Sequence, residues 1–194
     1  MRQGFAPLLS APVWLCFAFF VLLSGATIGL QSFFPALMDQ LYGLPIAEGA
    51  PLLSVFLFGA SGGVLLGGFL AERVGAQHQV VIGAGLASAA AFFVAISLGL
   101  FPAALLGIPF ALAGVLVGLT MPSRDMLVRE TAAASARGRV FGFVYSGLDS
   151  GAAVGPLVVG LLLDHGSPRA VLWLVAALLL LAVVSAALAK GRKG

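Results

Sequence analysis

A single carboxylate, Asp149, stands inside a long apolar run that extends from Val140 to Leu163. At about 1.5 Å per residue along a helix it lies roughly 14 Å past Val140, near the middle of a hydrocarbon layer roughly 30 Å thick. An acid at that depth must face water, accept hydrogen bonds or keep its proton, because a low-dielectric medium disfavours the charged form. Two roles follow. Asp149 can couple a proton or touch a solute, flanked by Tyr145, Ser146 and Ser150, or it can be a hydrogen-bond anchor between helices. Gln31, beside Ser32 in another apolar run, offers an amide that both donates and accepts, and it divides between the same two roles.

Other chemistry is thinly supplied. Gly59-Ala60-Ser61-Gly62 spells the nucleophile motif of rhomboid intramembrane serine proteases, but a serine nucleophile needs a histidine within hydrogen-bond reach. The two histidines, His78 and His165, fall at helix ends, so a protease is a remote alternative. The sequence has no phosphate-binding loop, Cys/His cluster or carboxylate pair; neither a metal nor a cofactor is expected. Cys16 is the one cysteine and lies in an apolar run, which excludes a disulfide framework.

The elements that carry these residues follow from composition. Of 194 residues, 61% are hydrophobic and 9% charged, with a mean hydropathy of +1.13; a soluble domain carries roughly 25% charged residues. A membrane helix takes about 20 apolar residues, and six such spans account for nearly the whole chain. The spacing predicts them over Pro12–Leu37, Pro51–Ala71, Val80–Leu98, Pro102–Met121, Val140–Leu163 and Ala170–Ala189. They form one all-α membrane domain: a stub over 1–11, a first three-helix unit over 12–98, a second over 102–189 and a basic tail over 190–194.

Cationic residues set the orientation, since cytoplasmic connections retain Lys and Arg. Arg2, Arg73, Arg124, Arg129, Arg137, Arg139, Lys190, Arg192 and Lys193 fall on one side of the spans and Arg169 alone on the other. Both termini are therefore expected in the cytoplasm. Charge this scattered is not a nucleic-acid face, and the bilayer itself is the first partner.

Shifting the chain by 92 residues lays the second span on the fifth and matches Ser54 with Ser146, Gly59 with Gly151, Ala60 with Ala152, Gly63 with Gly155, Leu65 with Leu157, Gly68 with Gly160 and Leu70 with Leu162. Spans three apart cross in opposite directions, so the pattern reads as two inverted three-helix repeats, an architecture on which many secondary carriers are built; shared small-residue packing is the alternative. Gly59, Gly63 and Gly67 recur at every fourth residue, as do Gly147, Gly151 and Gly155, and such rows let helix backbones approach closely. Pro156 removes a backbone donor next to Gly155 and is expected to loosen the helix there.

With these residues in view the chain resembles the major facilitator superfamily of secondary transporters, specifically the C-terminal six-helix half. Gly68-Phe69-Leu70-Ala71-Glu72-Arg73-Val74-Gly75 is similar to the loop signature of that family, with Glu72 in place of its usual Asp, and Ala76 and Gln77 where basic residues are usual. Gly142, Gly151, Gly155, Pro156 and Gly160 resemble the glycine-proline motif of drug/proton antiporters without its paired final glycine, and efflux is not inferred from them. The resemblance implies two six-helix halves that alternate access to a central cavity, and a small solute moved with ion, most simply proton, coupling. Glu72 and Arg73 would form part of a cytoplasmic gate, with Arg124, Asp125 and Glu130 as partners at the end of the fourth span; the alternative is that the arginines only enforce topology. It also implies that residues 1–11 are the end of an inter-half linker, and that a second half, on a separate chain or a second copy, completes the carrier in a bacterial cytoplasmic membrane. A non-transporting fragment or accessory membrane protein is the competing reading.

Overall fold

The computed structural model describes residues 10–73, 77–131 and 137–190; Gly75 of the loop signature and both chain ends lie outside them. The described residues form α1 (Ala11–Ser32), α2 (Phe34–Tyr42), α3 (Ile46–Arg73), α4 (His78–Ser97), α5 (Gly107–Thr131), α6 (Arg137–Asp164) and α7 (Pro168–Lys190), with a 3-10 turn at Ala103–Leu105 before α5. Six of these helices are long and apolar enough to cross a membrane, and α2 is not among them. The protein is thus a multi-pass, all-helical membrane protein.

The observed helix limits correct four of the expected spans. The first breaks at Phe33 (φ −121°, ψ 16°), with Pro35 in the first turn of α2: Pro35 has no N–H to give the Gln31 carbonyl. The second starts at Ile46 and carries Pro51 inside it, in its second turn, where the missing N–H leaves the Ala47 carbonyl without its helical donor. The fifth starts three residues early, at Arg137. The fourth is the consequential case. α5 continues past Met121, through Pro122, to Thr131, so Arg124 and Asp125 sit within a helix that apolarity alone seemed to end. Apolar patterning marks the lipid-facing part of a helix, whereas backbone hydrogen bonding continues wherever polar side chains find partners inside the bundle.

The packing has the symmetry that an inverted repeat requires. The closest pairs are α3 with α5 and α1 with α6, followed by α1 with α7, α4 with α5, and α4 with α7. Exchanging α1 with α5, α3 with α6 and α4 with α7 maps each pair onto another and α4·α7 onto itself. Side chains between helices reinforce this frame: the Ser185 hydroxyl donates to the Leu15 carbonyl at 2.9 Å, and the Gln79 amide donates to the Ala186 carbonyl at 2.9 Å.

Glycines make both close crossings possible. On α3, Gly59, Gly63 and Gly67 lie directly on the α5 backbone, and a Cβ at Gly63 would stand 2.9 Å from the Leu119 nitrogen. On α6, Gly147, Gly151 and Gly155 do the same against α1; a Cβ at Gly155 would stand 2.8 Å from the Gly25 Cα. Side chains at these points would force the helices apart. α6 is a continuous helix through Pro156.

Candidate functional site

Between the two crossings a cavity of about 320 Å³ is bounded by all four of these helices. α1 contributes Ser24, Thr27, Ile28 and Gln31; α3 contributes Phe56 and Ala60; α5 contributes Val117, Met121 and Arg124; α6 contributes Leu148, Asp149 and Ala152. Each set follows helical spacing, 24/27/28/31 on α1 and 117/121/124 on α5, so one stripe per helix faces the cavity.

Two of its polar groups are already engaged. The Ser24 hydroxyl donates to the Leu148 carbonyl across the α1–α6 seam at 2.7 Å, and Thr27 donates to the Leu23 carbonyl of its own helix at 2.9 Å. The Gln31 amide and the Asp149 carboxylate have no hydrogen-bond partner among the described residues. Asp149 is exposed on the open side of the cavity, near the middle of the 28-residue α6. What remains is a largely apolar hollow in which an amide and a carboxylate are left open, the composition expected of a small-solute site.

Arg124 corrects the sequence reading in two respects. It was expected at the end of the fourth span, as a partner of Glu72 and Arg73 in a cytoplasmic gate; instead it lies within α5, and on the same cavity wall as Asp149. Its Nε donates to Asp125 Oδ1 at 3.2 Å, and its Cζ sits 4.9 Å from the centre of the Phe20 ring. Tyr145, expected beside Asp149, instead donates its hydroxyl to Asp125 Oδ1 at 2.9 Å and packs on Phe20 with ring centres 5.0 Å apart. Arg124, Asp125, Tyr145 and Phe20 thus tie α5, α6 and α1 together at one end of the cavity. The signal was present in the sequence: Arg124 continues the helical stripe of Val117 and Met121.

The remaining expected residues are dispersed. Ser146 is exposed and donates to the Phe143 carbonyl of its own helix at 2.7 Å; it is not part of the cavity wall. Glu72 and Arg73 are exposed at the end of α3 and have no ion pair with Arg124, Asp125 or Glu130 among the described residues. Gly68 has no atom within 4 Å of where a Cβ would stand. Ser61 is exposed and its hydroxyl donates to the Leu57 carbonyl at 2.9 Å, while His78 opens α4 and His165 follows α6. Away from the cavity, Tyr42 beyond α1 donates to the Ile96 carbonyl at 2.7 Å; burial pushes its phenol up and nearby Arg169 pulls it down.

Comparison with known proteins gives two findings. The family model described as Major Facilitator Superfamily matches residues 15–193. A protein of Thermus thermophilus named as a probable nitrate/nitrite antiporter is 35% identical over 72 residues, which is 37% of this chain and 16% of that protein. The matched stretch therefore spans far less than two thirds of the relative.

Proposed function

The chain belongs to the Major Facilitator Superfamily, and from that premise we propose that it forms one half of a secondary carrier that moves a small solute by alternating access, driven by protons. The observation that carries this reading is the cavity itself: a hollow between two pseudo-symmetric glycine crossings, open on one side, with Asp149 and Gln31 unpaired among the described residues in its wall. Substrate sites of repeat-built carriers lie at repeat interfaces near the midplane, and Asp149 lies near the middle of α6.

The open side supports a second six-helix half. α3 and α6, which are exchanged by the repeat, are the least covered of the spans, with 17% and 28% of an apolar 18-residue stretch buried against 44–56% for the others. Both border the cavity, so a partner seated across it would cover both at once. That partner is a separate segment of chain or a second copy. The basic end of the bundle, with Arg73, Arg129 and Arg137, faces the cytoplasm on this reading, in a bacterial cytoplasmic membrane. Glu72 and Arg73, exposed there, would meet the partner rather than the solute.

The test is transport by reconstituted vesicles containing the chain alone and the chain with a six-helix N-terminal half, under an imposed pH gradient. Solute accumulation that follows the gradient and is lost in Asp149→Asn supports the reading. Gradient-driven accumulation unchanged in Asp149→Asn would remove the coupling role, and an absence of transport in both preparations would favour a non-transporting accessory protein.

A further inference from the structure

The seam between α1 and α6 has a second hollow on its other flank. The cavity described above lies against Ser24 of α1 and Ala152 of α6, whereas a crevice of about 120 Å³ lies against Leu22 of α1 and Val154 of α6. Two positions along a helix turn by about 200°, so the two hollows face nearly opposite ways and the helix pair is the wall between them. Leu174 and Leu178 of α7 form the far side of the crevice. It stays open because α6 and α7 each pack on α1 and touch one another little. Val154 and Val158, both exposed, form its rim on α6.

We propose that this crevice holds one acyl chain of a bilayer phospholipid, which braces the seam from the side away from the cavity. Depth is the first argument. Leu174 and Leu178 follow Pro168, the start of α7, by roughly 9 and 15 Å of helix, and half of a hydrocarbon core is about 15 Å thick. The crevice thus lies where the chains of the leaflet at that end of the bundle run. Composition is the second. Every side chain that lines it is aliphatic, and the rest of the lining is glycine; water needs several polar partners and meets no polar side chain here.

Size selects among apolar occupants. An apolar cavity of roughly 150 Å³ takes up a benzene, and this one is smaller, while a helix is about 10–12 Å across. An unbranched hydrocarbon chain enters where a protein helix cannot. A partner half seated over the cavity would lie on the other flank of the seam and leave the crevice to lipid. The headgroup is not read: Asp164 and Arg169, both exposed, stand on either side of the α6–α7 turn with opposite charges, so neither sign of headgroup is favoured and the chain carries the recognition. Filled, the crevice gives Val154, Val158, Leu174 and Leu178 the dispersion contacts that a void denies them.

The full chain in nanodiscs of phosphatidylcholine or of phosphatidylglycerol, each containing a small share of the same lipid with a diazirine near the end of one acyl chain, tests this. Illumination and peptide mass spectrometry then compare Leu178, half-buried beside the crevice, with Leu181, which is 54% exposed on the same helix and only about 4.5 Å further along it. Bulk lipid labels by exposure and would favour Leu181; a seated chain should label Leu178 more heavily, and equally with both headgroups. Val154→Trp fills the crevice from its exposed rim and should cut labelling of Leu178 by about fivefold or more, since an indole leaves a chain no room, while Leu181 stays unchanged. Leu174→Phe, which fills it from the opposite wall, makes the same prediction if the tryptophan variant does not fold. Labelling that follows exposure, or labelling of Leu178 that persists in a folded, filled variant, would overturn the site. Labelling with one headgroup alone would overturn the chain as the group recognised. None of these readouts uses transport, so the lipid site and the carrier reading stand or fall separately.

Discussion

The Tyr145 hydroxyl on α6 donates to the Asp125 carboxylate on α5 at 2.9 Å, and the same carboxylate oxygen receives Arg124 Nε at 3.2 Å. One oxygen thus joins two helices that otherwise touch little, since α6 packs chiefly on α1 and α5 chiefly on α3. The two seams are held in register at this point, and a carrier that rocks its repeats must keep or break this bond.

Tyr145→Phe keeps the ring against Phe20 and removes that hydroxyl. A hydrogen bond to a charged acceptor contributes about 1.5–3 kcal/mol, but Asp125 is 43% exposed, and water can replace part of the loss. The expected destabilisation is about 1 kcal/mol, measured by reversible unfolding in detergent. A change indistinguishable from zero would mean that water serves Asp125 as well as Tyr145 does and that the α5–α6 link has no mechanical role.

Adjacent glycines on α3 should behave oppositely. A Cβ on Gly63 meets the Val115 carbonyl and the Leu119 nitrogen, whereas a Cβ on Gly62 meets nothing within 4 Å. Gly63→Ala should therefore cost about 1–3 kcal/mol through forced separation of α3 and α5. Gly62→Ala should be neutral or slightly stabilising, because alanine is the better helix former. Thermal unfolding of the two variants side by side checks this, and equal melting temperatures would mean that the α3–α5 seam is looser than the structure has it.

Much of this frame was legible in the residues. The spacing of Gly59, Gly63 and Gly67, and of Gly147, Gly151 and Gly155, marks the faces of both crossings, because small residues every fourth position share one side of a helix. The offset that pairs Gly63 with Gly155 marks the inverted repeat. Arg124 was misplaced because hydropathy falls after Met121, and a falling hydropathy does not distinguish a helix leaving the membrane from one turning a polar side chain inward. Tyr145 lies one turn before Asp149 along the chain, yet its hydroxyl reaches Asp125, twenty residues back. Sequence distance on a helix fixes the face, and the partner comes from whichever neighbour packs there.

Gln31 borders the cavity without a partner among the described residues, two positions before the break at Phe33. On the proposed function its amide meets the solute, and Gln31→Ala should leave unfolding unchanged within about 0.5 kcal/mol, as a substitution away from packing and bonding features does. In vesicles the same variant should raise the KM for solute severalfold. If instead the variant unfolds far more readily while KM stays put, Gln31 is an adhesive between helices and not a solute contact.

The inverted repeat makes a topological prediction that does not depend on solute. α3 ends at Arg73 and α6 at Asp164, and between those ends the chain runs through α4, α5 and α6, an odd number of crossings. Glu72 and Asp164, which the repeat pairs with each other, must then face opposite sides of the bilayer. Cys16 is 1% exposed in the core, so the native thiol is shielded, and Glu72→Cys and Asp164→Cys each add one exposed thiol. In right-side-out vesicles an impermeant maleimide should modify the cysteine at 164 and spare the one at 72 until the membrane is opened, because the side richer in arginine faces inward. The reverse pattern would invert the orientation and leave the repeat intact. Labelling of both from one side would require an even number of crossings between them, and no bundle with the exchange of α3 and α6 described above could satisfy it.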